Sequence, residues 1–187
     1  RGKDGRVQLS IRRVAPGMSW TSTFPIDVSE LTGFDIRALT AERAPVDFEL
    51  RREAGVFHFQ GTFENGQGHG PFAFTPSREF IASVEREGLG DLDENDVYGC
   101  ALNDVTIEFL HGLRQLGYGK VSISDAQRLR IHGIGLDGIR AYHAAGLGEP
   151  TVDELTRLSI HGVTPQRVRD LRALGYTDLD VDQHVRM

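Results

Sequence analysis

A glycine followed by leucine or tyrosine recurs at a constant 29-residue interval through the second part of the chain, and this interval restricts the fold more than any other feature. The four pairs are Gly88-Leu89, Gly117-Tyr118, Gly146-Leu147 and Gly175-Tyr176. A helix that ends in a left-handed residue favours glycine just past its end, followed by an apolar residue that packs back on the helix five positions earlier. Val84, Leu113, Tyr142 and Leu171 stand at those earlier positions. The interval therefore predicts one helix end at the same place in each of four repeats.

A second marker predicts another helix end in each repeat. Ile131-His132-Gly133-Ile134 recurs one interval later as Ile160-His161-Gly162-Val163, with Leu129 and Leu158 as the apolar partners. In the first repeat Asp104 takes the place of the second glycine. Each repeat is thus predicted to hold two helices.

Residues that cap helix N-termini support this division. The second helix of each repeat is predicted to begin after a side chain that accepts a hydrogen bond from the first turn, namely Asp93, Ser122, Thr151 and Asp180. Ser122 with Asp125 and Thr151 with Glu154 have the spacing of capping boxes. The first helix is predicted to begin after Ser77, Thr106 and Thr164.

Apolar residues at helical spacing indicate how the hairpins bury their surface. Ile107, Leu110, Leu113 and Leu116 lie on one side of a helix. A single hairpin cannot bury such a stripe, whereas stacked hairpins can. We therefore expect residues 75–187 to form four helical hairpins in a short α-solenoid-like array, with repeats at about 75–104, 105–133, 134–162 and 163–187.

Apolar residues in residues 1–74 recur at every second position and not at helical spacing. This segment is expected to form an antiparallel β unit. Val7, Leu9 and Ile11 alternate with polar residues, as half-buried strands do. Similar segments around Trp20, Phe48, Phe57 to Phe63 and Phe72 to Phe74 bring the number of predicted strands to about five. A short helix or two is expected between Ser29 and Glu42. The fold class is therefore α+β, with a small antiparallel sheet followed by the helical repeats.

The sequence contains few residues in patterns that are typical of catalytic sites. Cys100 is the only cysteine, so an internal disulfide and a multi-cysteine zinc site are excluded, and the residue is expected to be buried on a helix. The histidines show no metal-ligand spacing, and neither a zinc-peptidase nor a serine-nucleophile motif occurs. We predict a protein that is not an enzyme and that needs no cofactor or metal.

The glycine-rich segment Asn65-Gly66-Gln67-Gly68-His69-Gly70 has two interpretations. Its backbone amides could hold a phosphate, but a phosphate loop leads into a helix, and this segment leads through Pro71 into an alternating strand. A hairpin loop is the favoured interpretation.

Two rows of basic side chains are the candidate binding residues. Arg128, Arg157 and Arg186 recur at one repeat position, and Arg114, His143 and Arg172 recur at another. A stacked array would align each row on one face. Such a face is either a solvated surface whose arginine stems cover apolar neighbours or a surface for an acidic partner. We expect a protein partner or another part of the parent protein.

Nucleic acid is the alternative partner. Ile131-His132-Gly133-Ile134-Gly135 resembles the glycine turn of a helix-hairpin-helix element, which offers backbone amides to a phosphate. The related turn Gly162-Val163-Thr164-Pro165 lacks the second glycine, and the net charge of -6 opposes general binding to phosphate backbones. Nucleic acid is therefore the weaker hypothesis.

Much of the chain resembles a segment of known bacterial regulators. Arg172-Ala173-Leu174-Gly175-Tyr176, the preceding Ile160 to Pro165 and the N-terminal Val7-Gln8-Leu9-Ser10-Ile11-Arg12-Arg13 are similar to the β unit and tandem repeats appended to membrane regulators of the M56 metallopeptidase family, relatives of β-lactam sensors. The resemblance implies a non-catalytic sensing or docking portion that lies outside the cytoplasm. No stretch of about 20 apolar residues is present to cross a bilayer, and the sequence itself contains no targeting signal.

Overall fold

The computed structural model describes the backbone of residues 5–15 and 18–187, and the side chains of residues 15 and 18–20, Trp20 included, lie outside the described set. The chain divides into two compact units, the first ending at Thr75 and the second spanning Pro76–Met187. Among the described residues the first unit contains strands and short 3-10 helices, and the second contains α-helices. The predicted α+β class is confirmed.

Seven strands lie within the described residues. They are β1 (Arg6–Ala15), β2 (Met18–Asp27), β3 (Leu31–Thr32), β4 (Arg43–Arg52), β5 (Gly55–Glu64), β6 (Gln67–His69) and β7 (Phe72–Pro76). β1 and β2 form an antiparallel hairpin of their own. The other strands form a second sheet in the order β3-β4-β5-β6, in which β7 also pairs with β5. The sequence indicated about five strands in one arrangement, because β3 and β6 are too short to show an alternating pattern.

The buried side chains of β4 and β5 form the apolar core of the first unit. Leu50 and Phe57 face each other across the two strands and are both fully buried. The ring of Phe57 lies 4.7 Å from that of Phe74, and Phe48 stacks on Phe59 at 5.0 Å between ring centroids. Each aromatic pair of this kind stabilises the folded state by about 0.5–1.5 kcal/mol beyond the contribution of the apolar surface that the rings bury.

The turn between β5 and β6 agrees with the sequence. Asn65 and Gly66 have φ values of 51° and 80°, and they join β5 directly to β6. Two consecutive left-handed residues are typical of a tight hairpin turn. The glycine-rich segment is therefore a hairpin, and the predicted insert after Ser29 contains a 3-10 helix at Ile36–Leu39, which follows another at Val28–Glu30.

Eight short helices lie within the described part of the second unit. They are α1 (Arg78–Arg86), α2 (Glu94–Leu102), α3 (Ile107–Gln115), α4 (Ile123–Ile131), α5 (Leu136–Tyr142), α6 (Val152–Ile160), α7 (Pro165–Ala173) and α8 (Val181–Arg186). The starts of α1, α3, α5 and α7 follow one another at the interval that separates the glycines, and so do the starts of α2, α4, α6 and α8.

Most of the predicted caps and helix stops are present in these helices. The even-numbered helices all begin with capping boxes, at Asp93, Ser122, Thr151 and Asp180. Glycine stops are left-handed, as at Gly133 with φ 69°, after which the Ile134 amide donates to the Leu129 carbonyl at 2.9 Å. Asp104 adopts φ 53° and ends α2 in the same way.

The end of α5 departs from this pattern. The chain continues through a wider π-helical turn over His143–Leu147, and Gly146 has φ 98° within it. An arginine side chain from the next repeat occupies the space beside this glycine, since a Cβ atom on Gly146 would lie 2.7 Å from the Arg172 guanidinium. The absence of a side chain at Gly146 therefore leaves room for Arg172, which is distant in sequence.

Helices of the same parity pack on one another along the second unit. α1 contacts α3, α3 contacts α5, and α5 contacts α7, while α2, α4, α6 and α8 contact each other in turn. The buried residues of this unit include Phe80, Val97, Leu113, Leu129 and Leu155. Corresponding helices of successive segments therefore lie side by side in two rows.

Two glycines allow a matched test of the helix stops. Gly133 is left-handed and Gly138 lies inside α5, and an added methyl group would meet no atom within 4 Å at either position. Gly133→Ala should lower the free energy of unfolding by about 1–2 kcal/mol, because an L-residue is strained there. Gly138→Ala should raise it by up to about 1 kcal/mol. Urea denaturation measures both, and equal effects of the two substitutions would contradict the proposed role of Gly133.

A buried histidine in α8 should make stability depend on pH. His184 is 2% exposed, and its Nδ1 has no hydrogen-bond partner among the described residues, whereas the corresponding earlier positions carry Val97, Ala126 and Leu155. Burial lowers the pKa of His184 below its ordinary value of 6.5, Asp180 acts in the opposite direction, and Arg167 and Arg172 lower the pKa further.

Because the unfolded chain binds this proton more readily, stability is full above about pH 6.5 and falls as the pH drops below it. His184→Leu should therefore reduce the loss of Tm between pH 7.5 and pH 5.5. His161→Leu, which removes an exposed imidazole, is the control. An unchanged pH dependence in His184→Leu would show that this side chain is not responsible.

Candidate functional site

The first predicted row of arginines lies along α4, α6 and α8, and two of its members pair with the next repeat. The Arg128 guanidinium lies 2.8 Å from the Asp153 carboxylate and 2.7 Å from Asp125. Arg157 pairs in the corresponding way with Asp182. The side chains of Arg128 and Arg157 are 41% and 47% exposed, so both pairs remain in contact with water. Each arginine thus links one repeat to the following one and still faces solvent.

Arg186 occupies the same position on α8 and is exposed. Within residues 5–15 and 18–187 no carboxylate takes the place that Asp153 and Asp182 have beside Arg128 and Arg157. Among the described residues the row is therefore uneven, since Arg128 and Arg157 form ion pairs with the next repeat and Arg186 does not.

The second predicted row lies at the C-termini of the odd-numbered helices. Arg114 donates to the carbonyls of Glu87, at 3.1 Å, and Gly88, both at the end of α1. Arg172 donates to the Gly146 carbonyl at 3.4 Å. A guanidinium stabilises the negative end of a helix and satisfies its last carbonyls. The structure therefore gives both arginines a role in joining repeats.

His143, the middle member of the second row, contacts a tyrosine of the preceding repeat. Its Nε2 lies 3.3 Å from the Tyr118 hydroxyl, and the two rings stack with centroids 6.2 Å apart. The Tyr118 hydroxyl also donates to the Pro150 carbonyl at 2.6 Å. Burial, with Glu149 and Glu154 nearby, raises the pKa of Tyr118 to about 12, so it stays a neutral donor.

Other inter-repeat contacts were missed by sequence reasoning. Arg130 donates to the Asn103 carbonyl at 3.2 Å, and Ser159, at the same position of the next repeat, donates to the His132 carbonyl at 2.8 Å. The two side chains differ in type, so a search for recurring residues does not find them. The common feature is a donor at the same repeat position, which satisfies the last carbonyls of the preceding even-numbered helix.

The turn that resembles a helix-hairpin-helix element joins α4 to α5. α5 begins after Gly135, which has no side chain to cap the first turn. The related turn before α7 ends at Thr164, whose hydroxyl accepts a hydrogen bond from the Arg167 amide at 3.2 Å. The two turns therefore have similar backbones but different helix starts.

The described side chains include neither a cluster of metal ligands nor an ionised thiol. No group of three or more histidine, cysteine, aspartate or glutamate side chains in the described residues could hold a metal ion. Cys100 is fully buried on α2, as predicted, and burial raises the pKa of its thiol to about 11. A thiol with that pKa is almost entirely protonated at neutral pH and is a poor nucleophile.

Two further observations concern membranes and relatives. None of the helices in the described part of the chain has both the length and the apolar character needed to cross a membrane. Comparison with protein-family models, curated proteins and solved structures found no match.

The strength of the Arg128–Asp153 pair decides whether Arg128 can exchange partners. An alanine double-mutant cycle on the two residues should give a coupling energy of about 0.2–1 kcal/mol, because Arg128 and Asp153 are 41% and 75% exposed. Thermal denaturation of wild type, both single variants and the double variant measures it. A coupling energy above about 2 kcal/mol, well beyond the range of exposed ion pairs, would instead assign the pair to the stability of the fold.

Proposed function

We propose that this chain is a non-catalytic protein-interaction or sensor module, and that its helical unit is a four-repeat, α-solenoid-like array. The observation that carries the proposal is the repetition of the same contacts between successive 29-residue segments, in both rows of helices. Repeat arrays of this kind expose extended surfaces on which partners bind. The partner is a protein or another part of the parent protein.

The surface of α4 and α6 supports this use. Ile131 and Ile160 occupy the same position on the two helices and are 63% and 60% exposed. Each lies three residues after a member of the arginine row, and residues three apart share one side of a helix. Arg128 and Arg157 therefore stand beside exposed apolar side chains, and their solvent-facing ion pairs are weak enough to exchange for a partner's carboxylates.

The resemblance to M56-type regulators supports the biological setting. It would imply that the module belongs to a bacterial regulatory protein and lies outside the cytoplasm. There it would sense or dock a partner while the catalytic chemistry takes place elsewhere in the parent protein.

Capture from a bacterial extract tests the role of the arginine row. The immobilised full chain is compared with R128E/R157E and with R12E/R43E, which makes the same change of charge at exposed positions of the first unit. Quantitative mass spectrometry should identify a protein that wild type and R12E/R43E retain and that R128E/R157E loses at least about tenfold. The same proteins retained by all three chains would refute the assignment.

A gel shift with duplex DNA at low salt tests the alternative function. A complex whose affinity falls steeply with salt would favour the helix-hairpin-helix hypothesis over the protein-interaction proposal. Gly135→Asp, which adds a negative charge at the start of α5, should weaken such a complex.

A further inference from the structure

The tip of the hairpin between β5 and β6 carries a chemically reactive dipeptide. Asn65 is followed by Gly66, whereas the other two asparagines of the sequence, Asn95 and Asn103, are each followed by aspartate. Asparagine is one of the thermolabile residues of proteins. Glycine has no side chain to shield its backbone nitrogen, so this nitrogen can reach the carboxamide of a preceding asparagine more easily than that of any other residue.

Both reacting groups are accessible. Asn65 and Gly66 are exposed, and the Asn65 carboxamide and the Gly66 amide form no hydrogen bond within the described part of the chain. An open depression of about 350 Å³, bordered by residues 39–42, lies beside the turn. The depression is open to solvent and leaves room for the Asn65 side chain to rotate.

The turn is held to the sheet by few contacts. β6 has three residues, all exposed, and its pairing with β5 ends at Glu64 and Gln67. Beside this pair, the Asn65 amide donates to the Glu42 carbonyl at 3.2 Å. The hairpin keeps Asn65 left-handed, with φ 51°, and the backbone must leave this conformation before the Gly66 nitrogen can reach Cγ. Short exposed segments open locally at little cost in free energy, which permits the rotation.

We propose that the folded protein deamidates spontaneously at Asn65. The Gly66 amide nitrogen attacks the Asn65 Cγ and forms a nitrogen–carbon bond, and the carboxamide nitrogen leaves as ammonia with the proton that the amide releases. Water then opens the resulting succinimide ring at either of its carbonyl carbons. One opening gives aspartate, and the other gives isoaspartate, in which the main chain runs through the former side-chain carbons.

The isoaspartate form releases β6 from β5. A two-residue loop fixes the pairing of Glu64 with Gln67, because turn type and loop length determine the register of a hairpin. Isoaspartate adds one carbon atom to the main chain of this loop, so the left-handed pair formed by Asn65 and Gly66 no longer fits. The aspartate form keeps the normal backbone and the pairing. The reaction lies in the first unit and is independent of the interaction function proposed above.

Ageing of the full chain under native conditions tests the reaction. Peptide mapping by mass spectrometry follows the exchange of NH2 for OH at each asparagine, and methylation by an isoaspartate methyltransferase localises isoaspartate. Asn65 should convert at least about tenfold faster than Asn95, where the Asp96 amide is bound to a carboxylate at 2.8 Å, or Asn103, whose carboxamide donates to the Gly99 carbonyl at 2.9 Å. The rate at Asn65 should rise with pH, because the attacking nitrogen must lose its proton.

The chain offers two matched controls. Asn65→Gly removes the carboxamide and keeps the turn, since two glycines also suit this hairpin, and it should yield no isoaspartate in the peptide that contains residue 65. Asp137-Gly138 can form the same succinimide with loss of water, but it lies inside α5. The helix fixes its backbone, so isoaspartate should not accumulate there. No conversion at Asn65 under native conditions, or conversion only in urea-unfolded protein, would overturn the proposal.

Hydrogen exchange tests the release of β6. The amides of Gln67 to His69 should exchange faster in aged protein than in fresh protein, in proportion to the isoaspartate content. Freshly purified Asn65→Asp, which carries the other product on a normal backbone, should exchange like fresh wild type. Equal exchange in aged and fresh wild type, despite isoaspartate at residue 65, would overturn the release of β6, and faster exchange in fresh Asn65→Asp would assign the effect to the added charge instead.

Discussion

The structure of the second unit depends on burial between helices that are too short to persist alone. α1 has nine residues and α8 has six, whereas an isolated helix needs about 12–15 residues to be even marginally stable in water. Stability must therefore come from the contacts of α1 with α3, of α2 with α4, and so on along the two rows. Capping boxes and left-handed stops hold each helix to the length that these contacts require.

This dependence explains why so many conspicuous side chains act between repeats. Arg114 and Arg172 donate to the carbonyls at the end of a preceding helix, and Ser159 does the same at a different helix end. A side chain at such a junction satisfies backbone groups that would otherwise be left without partners. A side chain that recurs at the 29-residue interval is thus explained first by its contact with the neighbouring segment and only afterwards by a ligand.

The same logic separates the two rows of basic residues as candidate binding sites. Arg114, His143 and Arg172 are engaged with backbone groups or with a tyrosine ring, and their replacement would disturb the joints between repeats. Arg128 and Arg157 form solvent-facing ion pairs of small expected energy beside exposed isoleucines. Arg186 lacks even that partner within the described residues. A surface for a partner is therefore better sought along α4, α6 and α8 than at the ends of the odd-numbered helices.

The amino-acid sequence by itself determined the local structure of this protein. Glycine at a constant interval, the caps at Asp93, Ser122, Thr151 and Asp180, and the alternation in β4 specify where helices and strands begin and end, because each signal acts on the backbone within a few residues. Only the tertiary structure decided the separation of β1 and β2 from the larger sheet, the π-helical turn after α5 and the partners of the arginines. Those features depend on groups that are distant along the chain. The Asp153 carboxylate, the Gly146 carbonyl and the Tyr118 ring reach their partners only after the repeats have packed, so no local pattern could identify them.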